Sequence, residues 1–295
     1  MTAQDGIPAA RSSSLTIFLA IVYGLLLFGV SANTWPIFLL HLSVPLATLT
    51  ELLFLSLFVW WVSGGGPPRS WKSARAFAFR NTSLTPPQWA WGLLAAVFFA
   101  ITVHASIVLL FRFVPFPLAD FRRGYDFSFI PTAPLRWLAV ILSAISAGVC
   151  EEAGFRGYMQ RPIELRLGPR TAILISSILF TLVHLTKGWA SIGMVPIVFG
   201  AGLLLGLLAW SSRSLIPCMI AHTIMDIGLF AFWWTGIAGE FKARPISETG
   251  IDSFFISACA LFILSLVIVL FSISRLRRAS PFTAPGSTLP NHSRA

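Results

Sequence analysis

The chain has 295 residues, 56% hydrophobic and only 11% charged, and its mean hydropathy of +0.80 lies outside the range of soluble globular domains. A net charge of +10 would suit nucleic acid if the cations formed one stripe, but they are scattered over short segments between apolar runs, so no nucleic-acid partner is expected. Composition instead predicts an all-α fold, a polytopic membrane bundle whose first partner is the lipid bilayer.

Residues 1–13 are polar, and no small-residue cleavage site ends the apolar run that follows, so 14–32 is expected to be a retained first span. Further spans are predicted at 37–62, 89–113, 135–158, 171–186, 190–211, 214–236 and 252–274, about eight in all. The polar stretches 64–87 and 114–134 are short loops, so one transmembrane domain, 14–279, is followed by a tail, 280–295, with the composition of disorder. With the N-terminus in the cytoplasm, Arg69, Lys72, Arg75, Arg80, Arg161, Arg166, Arg170, Arg213, Arg275, Arg277 and Arg278 share the cytoplasmic side. Arg122, Arg123, Arg136, Lys187, Lys242 and Arg244 fall on the other, and this imbalance predicts N-in and C-in. Cys150, Cys218 and Cys259 lie in apolar runs without paired spacing and read as small buried hydrophobes.

Ionisable residues at membrane depth are costly and mark function or internal pairing. In the second span Glu51 and His41, and in the third His104 and Arg112, have no accompanying motif. Structural roles are expected, with Glu51 and His104 as possible mutual partners and Arg112 snorkelling to an interface. In the fourth span Glu151-Glu152-Ala153-Gly154-Phe155-Arg156 puts Glu152 and Arg156 four apart on one helical face, with Glu151 turned about 100° away. One glutamate can pair with the arginine and leave the other for chemistry; the plain alternative is an ion pair that pins helices. The fifth span carries Phe180-Thr181-Leu182-Val183-His184, and a lone histidine there is by itself as consistent with a hydrogen-bonded core residue. Gly202 and Gly206, four apart in the sixth span, suit close helix packing. The seventh carries His222-Thr223-Ile224-Met225-Asp226, where the acid can orient the imidazole or merely satisfy it.

Separate burial of these groups on three helices costs more than convergence on one wet cavity. A carboxylate base, an imidazole and a second His/Asp pair are what water-dependent acyl hydrolysis requires.

The pattern Glu151-Glu152-x-x-x-Arg156, Phe180-x-x-x-His184 and His222-x-x-x-Asp226 resembles the CAAX protease and bacteriocin-processing family. These are intramembrane glutamic proteases that include the type II CAAX prenyl endopeptidases. The resemblance covers about 140–230 and implies Glu151 as general base, His184 holding the same water, Glu152 and Arg156 supporting and charge-balancing the base, and His222 with Asp226 at the oxyanion. The prenyl endopeptidases have asparagine at the last position; an aspartate must be protonated to donate there, or else orients His222. It implies no cofactor and no metal, a substrate that is a membrane protein, lipidated protein or peptide precursor, and a bacterial inner-membrane location.

His-Glu-x-x-His and Gly-x-Ser-Gly are missing, and Tyr125-Asp126 has no later Gly-x-Gly-Asp, so zinc site-2, rhomboid and presenilin-type signatures are not met. A zinc site drawn from Glu151, Glu152, His184 and His222, a transporter, and an idle immunity-type factor remain the alternatives.

Overall fold

The computed structural model of the protein describes residues 13–31, 33–80, 82–122, 127–185 and 192–280. The polar start at 1–12, Arg123, Tyr125-Asp126, Lys187 and the tail from 281 lie outside the described residues. Among the described residues every regular element is helical: α1 (Ser13–Ser31), α2 (Thr34–His41), α3 (Val44–Val62), α4 (Lys72–Ala78), α5 (Pro86–Phe113) and α6 (Leu118–Arg122). Then come α7 (Ala133–Glu152), a π-helical stretch (Ala153–Met159), α8 (Gln160–Leu167), α9 (Pro169–His184), α10 (Met194–Ser212) and α11 (Ile216–Gly228). A second π-helical stretch (Leu229–Trp234), α12 (Ile246–Thr249) and α13 (Ser253–Ala279) complete the chain. Proline opens α3, α5, α7, α9 and α11 within their first two positions, where its missing N–H is no loss and its φ is preset.

Among the described residues seven helical stretches are long and apolar enough to cross a membrane, and the protein is an integral membrane protein. One expected span is divided in the structure. The span at 37–62 divides at Leu42 and Ser43, both extended, because Pro45 has no N–H to continue the helix; α2 belongs to the first stretch, Ser14–His41. The fifth span, expected at 171–186, is α9, of the same length, 16 residues, and beginning two positions earlier. At 1.5 Å per residue it reaches about 24 Å, short of a hydrocarbon core of about 30 Å.

The helices alternate in direction, so their ends collect on two faces. At one, Gln88 at the start of α5 donates to Ser280 beyond α13 (2.6 Å), Tyr158 donates to the Val62 carbonyl (2.8 Å), and Arg277 covers the Trp210 ring. This is the face that gathers the eleven cations expected to be cytoplasmic, and it is called the basic face below. At the other, Arg112 is fully buried and grips Asp252 with two hydrogen bonds of 3.0 Å, while Arg122 meets Glu240 at 2.9 Å. Arg112 does not snorkel, because the carboxylate that caps α13 supplies its counter-charge inside the fold.

The Arg112 hydrogen bonds hold the Asp252 carboxyl below its ordinary range. A carboxylate with a depressed folded-state value stabilises the fold above the ordinary carboxylate range, and that contribution is lost as pH falls through the folded-state value. The melting temperature in detergent is expected to fall on acidification in the wild type, and Asp252→Asn to flatten that part of the pH profile.

Glu51 and His104 do not pair. Glu51 on α3 accepts from Ser146 and Thr34. The His104 Nδ1 accepts from the Trp233 indole at 3.0 Å, so its Nε2 carries the proton toward the Met225 carbonyl at 3.2 Å. The expected structural roles stand, with different partners. Cys150 and Cys218 are buried, but Cys259 on α13 is half-exposed, since that helix turns much of its surface outward.

Candidate active site

Glu151 and Glu152 are the last two residues of α7, at a change of helix type: α7 ends at Glu152 and passes into the seven-residue π-helical stretch Ala153–Met159. A π turn carries one extra residue per turn, shifts the side chains that follow, and occurs often at functional sites. Small residues let neighbours approach this stretch. A Cβ on Gly154 would lie 2.7 Å from the Gly24 carbonyl of α1, and one on Gly157 would lie 3.1 Å from the Ala78 carbonyl. From the loop after α4, Arg80 donates through Nε to the Arg156 carbonyl (3.2 Å) and pairs with Glu164. Gly154→Val is expected to push α1 off this stretch, destabilising by about 1–3 kcal/mol, the usual cost of overpacking. Gly200→Ala, with open space around it, serves as the neutral comparison in a detergent melting series.

Arg156 and Glu152 form the expected pair one turn apart, 2.8 Å between NH1 and Oε1, and both side chains are fully buried. The second guanidinium nitrogen donates to the Gly202 carbonyl of α10 (3.3 Å), and its plane covers the Phe180 ring at 4.4 Å. One turn on, Gln160 donates to the Gly206 carbonyl at 3.0 Å. Gly202 packs on Ser177 and Gly206 on Ile173, so the expected close helix packing is present, and the same glycines expose carbonyls to two buried donors.

Glu151 faces the other way. Its Oε2 lies 3.5 Å from His184 Nε2 and 4.0 Å from His222 Nε2. His184 ends α9 and donates through Nδ1 to the Phe180 carbonyl one turn back (2.7 Å), which directs Nε2 at Glu151. Its ring stands 4.3 Å from the Phe180 ring and 6.5 Å from Phe28 of α1. His222 on α11 is held through Nδ1 by Glu152 Oε1 at 2.7 Å, and its Nε2 lies 3.5 Å from Asp226 Oδ2. Glu152 is therefore the nearer anchor of His222, a role that helical spacing within a single segment cannot reveal.

All six residues, Glu151, Glu152, Arg156, His184, His222 and Asp226, thus fall in one connected cluster. Four of them, Glu151, His184, His222 and Asp226, line a cavity of about 50 Å³ together with apolar residues such as Val103, Met194, Leu229 and Trp234. Glu152 and Arg156 sit behind it. The second π-helical stretch begins three residues after Asp226 and supplies Leu229, Phe230 and Trp234 to the wall. Phe180 was visible in the second motif, but its two contacts, under Arg156 and beside His184, were not. Phe28 and the π turns carried no motif signal. Among the described residues no group of three or more His, Cys, Asp or Glu side chains is arranged to hold a metal ion.

No curated protein and no solved structure matches the chain. The family resemblance of the three motifs does have an independent counterpart: residues 133–228, from the first residue of α7 to the last of α11, match the family described as type II CAAX prenyl endopeptidase Rce1-like, a family of membrane proteases.

Proposed function

We propose that the protein is an intramembrane endopeptidase of the glutamic type that hydrolyses a peptide bond of a membrane-associated protein, lipidated protein or peptide precursor. The observation that carries this reading is the convergence of Glu151 Oε2 and the Nε2 atoms of His184 and His222, within 3.5 and 4.0 Å, on one small cavity. A water at ordinary hydrogen-bond distance from both Glu151 and His184 fits at the apex of that 3.5 Å base. Glu151 takes one proton as that water attacks the substrate carbonyl, and His184 Nε2 accepts the other hydrogen and fixes the direction of attack. Glu151 then returns the proton to the leaving amine.

His222 donates to the developing oxyanion through Nε2 when its ring is protonated on both nitrogens, with the Nδ1–H held by Glu152. The three carboxylates of the cluster outnumber Arg156, so protons on His222 or Asp226 reduce an otherwise costly buried negative charge. Asp226 either shares such a proton as a second donor or orients Nε2. The family match extends to membrane proteolysis, and the bacterial inner membrane is the setting we infer.

Purified protein turning over a membrane-peptide substrate tests the reading. Activity is expected to survive exhaustive chelation and to be lost in His184→Ala and His222→Ala. Activity removed by chelation and restored by zinc would assign the same residues to a metal instead.

A further inference from the structure

A cavity of about 410 Å³ at the basic face takes no part in the chemistry proposed for Glu151 and shares no wall residue with the Glu151 cavity. Leu19 and Tyr23 of α1, Trp61 near the end of α3, Trp71 just before α4, Arg75 within α4 and Tyr158 of the first π-helical stretch contribute to its wall. The volume falls in the range of about 300–1,000 Å³ common to small-molecule sites, and the wall is apolar apart from hydroxyls and one guanidinium.

That guanidinium sets the chemistry of the occupant. Arg75 is 3% exposed, and its charged group stands 4.7 Å from the Trp61 ring. NH1 donates to the Pro67 carbonyl at 3.1 Å and NH2 to the Gly66 carbonyl at 2.9 Å, both neutral acceptors. Nε is buried and has no hydrogen-bond partner. Arg80, Arg112 and Arg156 are buried too, but each of them faces a carboxylate, whereas Arg75 has no carboxylate partner among the described residues. Glu164, the acid of the adjoining α8, is engaged by Arg80 and Arg161. A buried cation without a counter-charge is costly, so an anion from outside the chain would complete the site.

The surroundings say which kind of anion. Tyr23 and Trp71 are 46% and 53% exposed, and such amphipathic rings sit at the headgroup level of a bilayer. Arg69 and Lys72 are exposed beside them, and basic residues at a membrane surface gather anionic lipids. A free phosphate would balance Arg75 but leave the apolar wall uncovered, and an uncharged lipid would cover the wall but leave Arg75 unbalanced.

We propose that this cavity binds one anionic phospholipid from the leaflet at the basic face, with its phosphate at Arg75 and an acyl chain along the apolar wall beside α1 and Tyr158. Tyr158 belongs to the stretch that carries Arg156 and donates to the Val62 carbonyl. The bound lipid therefore ties α1 and α4 to the segment behind Glu151, whatever reaction the protein performs.

Melting of the delipidated full chain in an uncharged detergent tests this without turnover. Phosphatidylglycerol is expected to raise the melting temperature by several degrees with saturation, while phosphatidylcholine with the same chains and inorganic phosphate alone have little effect. Arg75→Met should raise the half-saturating phosphatidylglycerol concentration about tenfold, the usual worth of a charged hydrogen bond. Because Arg75 also holds the Gly66 and Pro67 carbonyls, a second variant leaves it in place: Ala74→Phe, exposed on α4 and part of the wall, puts a ring into the cavity and should weaken the response likewise. Equal stabilisation by phosphatidylcholine or by phosphate alone, or an unchanged half-saturation in the folded variants, overturns the proposal. So does a response seen only in a chain lacking residues 1–12, which would make that segment the occupant.

Discussion

Glu151→Gln is expected to lower peptide hydrolysis by about two to four orders of magnitude, the usual worth of a general base, while the protein still inserts and melts like the wild type. Glutamine keeps the shape and one acceptor oxygen of the side chain but cannot take a proton from water. The position tolerates the exchange structurally because the Glu152–Arg156 pair, which balances buried charge, does not involve Glu151. The check is a rate on a verified substrate beside a detergent melting curve for each protein. Comparable rates for Glu151→Gln and wild type would remove the residue from its assigned role. His184→Gln should show a loss in rate with a similarly small change in melting, since the ring's hydrogen bond to the Phe180 carbonyl lies within its own helix.

Arg156→Met is expected to have the largest effect on stability, about 3–5 kcal/mol, because it strands the Glu152 charge in a fully buried site. The loss should spread to chemistry: Glu152 also holds His222 through Nδ1, and an unbalanced carboxylate will take up a proton or move. The double variant Glu152→Gln with Arg156→Met removes both charges and should recover a large part of the melting temperature, since apolar or neutral replacements of a whole buried pair are often tolerated. It should not recover activity, because His222 has lost its ionic anchor. Additive losses across this cycle, with no recovery in the double variant, would show that the pair is not coupled.

The three motifs were legible because each lies within one helix, where four-residue spacing fixes which side chains share a face. That is enough for Glu152 with Arg156, and it shows that Glu151 must face elsewhere. It is not enough for contacts between helices. The Glu152–His222 bond joins residues seventy positions apart, and the cover of Phe28 over His184 depends on α1, a segment with no polar signature. The wrong pairing of Glu51 with His104 has the same origin: Ser146 and Trp233, their actual partners, carry no charge to draw attention. Arg112 was misplaced because a buried arginine is costly unless a counter-charge arrives from afar, and Asp252 stands 140 positions later. The short α9 was legible, since the span expected at 171–186 has the same length of 16 residues, and only its bounds lie two positions earlier in the structure.

The role of Glu151 is tested most directly by a single turnover in ¹⁸O-enriched water, with enzyme in excess over a cleavable membrane peptide. A carboxylate that activates water never bonds to the substrate carbonyl. The account therefore predicts ¹⁸O in the new carboxyl terminus of the peptide after the first turnover and none in the Glu151 side chain, both read by mass spectrometry. Label in the Glu151 carboxylate would show that this residue attacks the substrate itself and would contradict the account.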